Sequence, residues 1–132
     1  QRTTPCQLHT PHCRAALSLP TKPELLICNT DPHDKPGTHW IAIYVDKWGR
    51  GEYFDSFGME PTAVFKDYMN KHCRYWTFNR KMLQSVLSRF CGHYCCFYCV
   101  FRCSGYDMTK IVSMFTNDTA FNDVLVHNFI CR

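Results

Sequence analysis

Apolar residues are patterned in two ways along this chain, as short runs in the first half and at helical spacing in the second. Residues 1–23 carry neither period. They are polar and proline-containing and read as an arm or loop. Residues 24–29 are a short apolar run ending in Asn-Thr-Asp-Pro, and residues 39–46 are another, rich in Ile, Val and Tyr; both predict strands. In the second run Trp40, Ala42 and Tyr44 oppose Ile41, Ile43 and Val45, so both faces are apolar and the strand belongs inside a sheet. His39 opens it.

Gly49 and Gly51 bound a turn before a third run, residues 52–55. A loop of Lys47, Trp48 and Gly49, with glycine in the left-handed position, makes a hairpin in which Asp46 faces Arg50. That register sets Ile41 opposite Asp55, which brings Asp55 to the same face as His39 and diagonal to it. After Gly58 and Pro61, Val64, Phe65, Tyr68 and Met69 fall at helical spacing and predict a helix over residues 62–71. Residues 74–79 read as another strand. Residues 91–102 are almost wholly apolar or aromatic, with Gly105 just beyond as a stop, and predict a buried helix. Two further helical segments, 107–115 and 120–129, are separated by the cap-like run Thr116, Asn117, Asp118. Strands gathered early and helices late make an α+β domain, with residues 1–132 read as one domain.

Composition narrows the class. The chain has 132 residues, 45% of them hydrophobic, and no apolar run of membrane-spanning length or secretory-leader pattern, so it reads as soluble and not secreted. A net charge of +4 without a block of consecutive basic residues leaves nucleic-acid binding open without requiring it. Ten cysteines would suit a disulfide framework. Yet Cys91, Cys95, Cys99 and Cys103 recur every four residues, lying along one helix face where bridges between successive turns have poor geometry. Reduced core thiols, in an intracellular setting, are the expectation. Cys6, His9, His12 and Cys13 form a thiolate and imidazole set suited to zinc, but their spacing matches no standard finger, and no metal is assigned.

The chemistry concentrates at Thr38-His39-Trp40, at Phe54-Asp55-Ser56-Phe57-Gly58, and at Gln84 followed by Cys91-Gly92. A cysteine at a helix N-terminus has its thiolate favoured by the helix dipole and backbone N–H groups, which suits Cys91 as a nucleophile. An imidazole to take the thiol proton and a carboxylate to orient that imidazole complete the set, parts that His39 and Asp55 fit. A side-chain amide together with the nucleophile's backbone N–H is a common oxyanion site, with Gln84 and Cys91 as candidates. Taken singly, each residue has a plainer reading: a buried thiol, a strand-end histidine, a turn aspartate. His93 and His127 compete for the role of base, and Cys91, His127, Asn128 follow the papain order, but His127 lies in an amphipathic segment close to the chain end.

The strings GTHWIAIYVD, GEYFDSFG and LQSVLSRFCGHYCCFY, over residues 28–130, together resemble the adenovirus-type cysteine endopeptidases, and look most like those of Maverick or Polinton elements and related viruses. The resemblance implies a papain-like or Ulp1-like fold in permuted chain order, with a central, mostly antiparallel sheet flanked by helices. It implies Cys91 as nucleophile, His39 as base, Asp55 as orienting carboxylate, Gln84 as oxyanion donor, and Trp40 and Gly92 along the substrate cleft. Cleavage of polypeptides after small residues such as glycine, in viral or transposon precursor and capsid proteins, would follow without any cofactor. So would a nuclear, cytoplasmic or virion-associated location. Met82, Leu83, Val86, Leu87 and Phe90 have helical spacing, whereas the family holds its Gln in a loop; the loop is expected. Cys73 lies where adenovirus enzymes bridge to an activating peptide. Two other readings stand beside this one: a protease for ubiquitin-like modifiers with the same residue order, and a catalytically inactive binding or scaffold module.

Overall fold

The computed structural model describes residues 23–30 and 39–131. The expected arm up to residue 22 and the Cys6, His9, His12 and Cys13 set lie outside them. β1 (Glu24–Asn29), β2 (Trp40–Val45) and β3 (Arg50–Phe54) form an antiparallel meander, and β4 (Tyr75–Phe78) adds to β3 in parallel, giving the order β1-β2-β3-β4. β2 is an interior strand, as its two apolar faces require. Ala42 pairs with Phe54 and Val45 with Gly51, and Asp46 N–H donates to Arg50 O at 2.9 Å, the register expected from a three-residue turn. Gly49 adopts φ 86° in that turn, and the buried Asp46 carboxylate accepts from the N–H groups of Trp48 and Arg50.

Helices cover both sheet faces. Alternation in β2 sends Ile41, Ile43 and Val45 to one side, where Phe65, Tyr68 and Met69 of α1 (Ala63–His72) pack on them. Ala42 and Tyr44 go to the other side, with Leu25, Ile27 and Phe54, against Tyr94, Cys95, Phe97 and Tyr98 of α2 (Cys91–Cys103). α3 (Met108–Val112) and α4 (Thr119–Ile130) close this second core through Met108, Ile111 and Val126. The result is an α+β architecture, a mostly antiparallel sheet flanked by helices, with Cys91 as the first residue of its most buried helix. Glu52 ties that helix to β3, accepting from Tyr98, Arg102 and the N–H of Met108.

Several boundaries differ from expectation for local reasons. His39 and Asp55 stand just outside β2 and β3 rather than within them. The helix expected over residues 107–115 stops at Val112, where the Ser113 hydroxyl takes the carbonyl of Lys110 and Phe115 turns into the core. Both α3 and α4 start on aspartate caps: Asp107 accepts from Lys110 N–H, and Asp118, in the cap-like run, from Phe121 N–H. Residues 82–90 are not helical, in spite of their spacing. Leu83 is buried while Val86 and Leu87 are exposed, so no continuous apolar face forms. The eight described cysteines are unbridged. Of the thiols expected in the core of α2, Cys95 and Cys99 are buried and Cys103 is partly buried.

Candidate active site

The site is built where the ends of β2 and β3 meet the start of α2. His39 precedes β2 and Asp55 follows β3, so the hairpin register delivers both to one end of the sheet. His39 Nε2 lies 2.9 Å from Asp55 Oδ1, with the carboxylate nearly buried and the imidazole partly exposed. Carboxylate oxygen accepts, so Nε2 carries a proton and Nδ1 is left as the basic nitrogen of the neutral ring. Nδ1 is itself buried. Phe57 packs against the imidazole with ring centroids 5.0 Å apart.

Asp55 is held by contacts that the sequence did not signal. Its peptide is clamped by the buried Asn79, whose Oδ1 accepts from Asp55 N–H at 2.9 Å and whose Nδ2 donates to Asp55 O at 2.7 Å. Its Oδ1 also accepts the N–H of Phe57 at 2.8 Å, a local turn that fixes the carboxylate from its own chain. Asn79 lies just past β4 and looked like the last residue of a strand; its pairing with Asp55 spans 24 positions and leaves no local pattern.

Cys91 is buried at the first position of α2, whose N-cap, Phe90, offers no side-chain acceptor. Burial pushes its thiol up. The hydrogen bond from His39, the N–H groups of Trp40 and Gly92 and the His39 charge outweigh burial and hold it below its ordinary value. Burial pulls His39 down, but hydrogen bonds to Asp55 and Cys91 and the charges of both raise it to about 9. Each member of the pair thus favours the charged form of the other, the condition for a thiolate and imidazolium at neutral pH. His93 and His127 stack on one another and pack at a tilt against Phe90 instead.

Gln84 is fully buried in the loop before α2. Its Oε1 accepts from Ser56 Oγ at 2.6 Å, and its Nε2 donates to Ser88 O at 3.2 Å and Ser88 Oγ at 3.0 Å. Trp40 and Gly92 line an apolar groove of about 260 Å³ together with Ile27, His93, Cys96 and Ile130. A methyl group at Gly92 would meet nothing within 4 Å, so the bare backbone there is not imposed by packing inside the chain. Cys73 is buried, with its thiol pushed up to about 12 by burial and the Asp46 charge. That is the environment of a packed thiol, not of one ready for exchange with a peptide. No metal-holding group of three or more His, Cys, Asp or Glu occurs among the described residues, and none of their helices is long and apolar enough to cross a membrane.

No protein-family model matches the sequence. Over 99 residues, 74% of the chain, it is 29% identical to a protein of Acanthamoeba polyphaga mimivirus named "Putative thiol protease R355". Among solved structures it is similar to the ASFV pS273R protease, in two crystal structures: that of the Se-Met protein, with a TM-score of 0.61 and 26% identity over 80% of this chain, and a second at a TM-score of 0.59 and 24% identity. The chain spans 32% of the curated relative's length and 43% of the first of these structures. The fold is therefore similar to that of the ASFV pS273R protease, over a portion of that protein's length.

Proposed function

We propose that the chain is a cysteine endopeptidase domain, with Cys91 as nucleophile, His39 as proton carrier and Asp55 as orienting carboxylate. The observation that carries this is the row Asp55–His39–Cys91, in which His39 Nε2 lies 2.9 Å from Asp55 Oδ1 and the imidazole hydrogen-bonds the thiol at the first position of α2. The named relatives, a thiol protease and a protease, support the same reading.

The Cys91 thiolate attacks the scissile carbonyl carbon, forming a C–S bond and moving the carbonyl π pair onto oxygen. That oxyanion is met by the backbone N–H of Cys91, which lies in the first turn of α2, where donors have no acceptor within the helix, and by the Gln84 Nε2 amide, which exchanges a hydrogen bond to Ser88 for it. Collapse breaks the C–N bond as the His39 imidazolium gives its proton to the leaving amine. His39, now neutral, takes a proton from water, whose oxygen attacks the acyl-thioester; the acid product leaves and the thiolate and imidazolium are restored. Asp55 keeps Nε2 protonated throughout, so that Nδ1 faces the chemistry.

Trp40 and Gly92 form the cleft beside the nucleophile, and the resemblance to adenovirus-type endopeptidases of Maverick or Polinton kind supports polypeptides cut after glycine, in precursor or capsid proteins. The unbridged thiols fit a reducing, intracellular setting. Incubation with fluorogenic peptides carrying glycine before the scissile bond tests the reading. Turnover that is lost in Cys91→Ala and falls about 10²–10⁴-fold in His39→Ala is expected. Equal turnover in both variants and wild type would contradict it.

A further inference from the structure

Ser56 lies between two residues of the quoted Asp-Ser-Phe run and faces the other half of the site. Asp55 meets His39, whereas Ser56 meets Gln84 twice and its neighbour Leu83 once. Its carbonyl accepts the N–H groups of Leu83 at 2.8 Å and Gln84 at 3.1 Å, and its hydroxyl lies 2.6 Å from Gln84 Oε1. Both Ser56 and Gln84 are fully buried.

The carboxamide orientation follows from these partners. Ser88 O can only accept, so the end of Gln84 facing it carries the NH₂ group. Ser88 Oγ is 3.2 Å from Ser85 O, to which it donates, so it too is an acceptor toward Nε2. Oε1 is then the end at Ser56, and the Ser56 hydroxyl is the donor. Without that hydroxyl a buried amide oxygen loses its partner, and the side chain gains a reason to rotate away.

Resting on the reading of Gln84 as oxyanion donor, we propose that Ser56 is a positioning residue for that donor, so that two consecutive side chains, Asp55 and Ser56, set the proton carrier and the oxyanion site separately. The Ser56 hydroxyl hydrogen-bonds Gln84 and neither His39 nor Cys91. Its removal therefore acts on acyl transfer and leaves the thiolate alone.

The test compares wild type, Ser56→Ala, Gln84→Ala and the double variant, each assayed for peptide turnover and for Cys91 alkylation by iodoacetamide. Ser56→Ala is expected to lower kcat about 10- to 100-fold with KM and Cys91 alkylation unchanged. On the Gln84→Ala background it is expected to cost nothing further, because both act through one donor. Wild-type kcat in Ser56→Ala, a full additional loss in the double variant, or a parallel loss of alkylation would each overturn the role of Ser56 while leaving the protease reading intact. Absence of turnover in wild type together with His39-independent alkylation would instead defeat the protease reading, and the role of Ser56 with it. A measurement without substitution guards against a variant that does not fold. In wild type the Gln84 side-chain amide hydrogens, observed by NMR, should exchange slowly with solvent. Exchange at the rate of an exposed glutamine would overturn the proposal.

Discussion

At the residue scale, the pair of Cys91 and His39 separates two pH dependences that usually coincide. Cys91 is held below its ordinary thiol value, so its thiolate persists as pH falls toward neutrality. His39 is raised to about 9, so imidazolium persists through neutrality and is lost as pH rises past that value. Alkylation of Cys91 needs only the thiolate, whereas turnover also needs the imidazolium proton. Between pH 7 and pH 10, alkylation is expected to stay level or rise while turnover declines with a midpoint near 9; parallel curves would contradict the assignment. Asp55→Asn should lower turnover by about 10²–10⁴-fold, checked as kcat with fold retention followed by circular dichroism. As candidates, His39, Asp55, Gln84 and Cys91 could be picked from the sequence because they lie in short strings with marked neighbours. Asn79 and Ser88 could not, since each is an ordinary polar residue whose role comes from a partner's backbone or side chain brought up by folding.

Elements explain why these residues meet. The turn at Gly49 sets the β2–β3 register, and that register brings His39 to Asp55, a link readable from one glycine and the alternation on either side. The second turn, at Gly58, was legible only as punctuation. Gly58 has φ 69°, and a methyl group there would lie 2.7 Å from the backbone of Lys81, three residues before Gln84. Gly58→Ala therefore combines left-handed strain with a clash against main chain that cannot rotate away. A loss of about 1–3 kcal/mol is expected, read as a lower urea midpoint, together with reduced turnover as the Gln84 loop shifts. Gly92→Ala is the contrast. With nothing near its added methyl, it should change stability by no more than about 0.5 kcal/mol while raising KM for glycine-containing peptides. The helical spacing of residues 82–90 gave way to the loop expected from the resemblance, because period alone does not say whether an apolar face has anything to pack on; Val86 and Leu87 remain exposed.

For the whole molecule, β2 is where both cores meet, with alternate side chains sent to α1 and to α2. Ile43→Ala, at a fully buried position, should cost about 2–5 kcal/mol in denaturant unfolding, although it lies on the sheet face away from α2. The α+β class was readable from the order of strands and helices, but the parallel addition of β4 was not, because nothing in residues 74–79 says which neighbour they join or in which direction. The site exists only when β2, β3 and α2 assemble, and its state is reported most directly by the reactivity of one sulfur among eight described thiols. Iodoacetamide labelling near neutral pH, mapped by peptide mass and compared between wild type and His39→Ala, is that measurement. Cys91, though buried, is expected to react faster than the exposed Cys96 and Cys131 and to lose this advantage in His39→Ala. Reaction of Cys91 no faster than those two, unchanged by His39→Ala, would contradict that expectation.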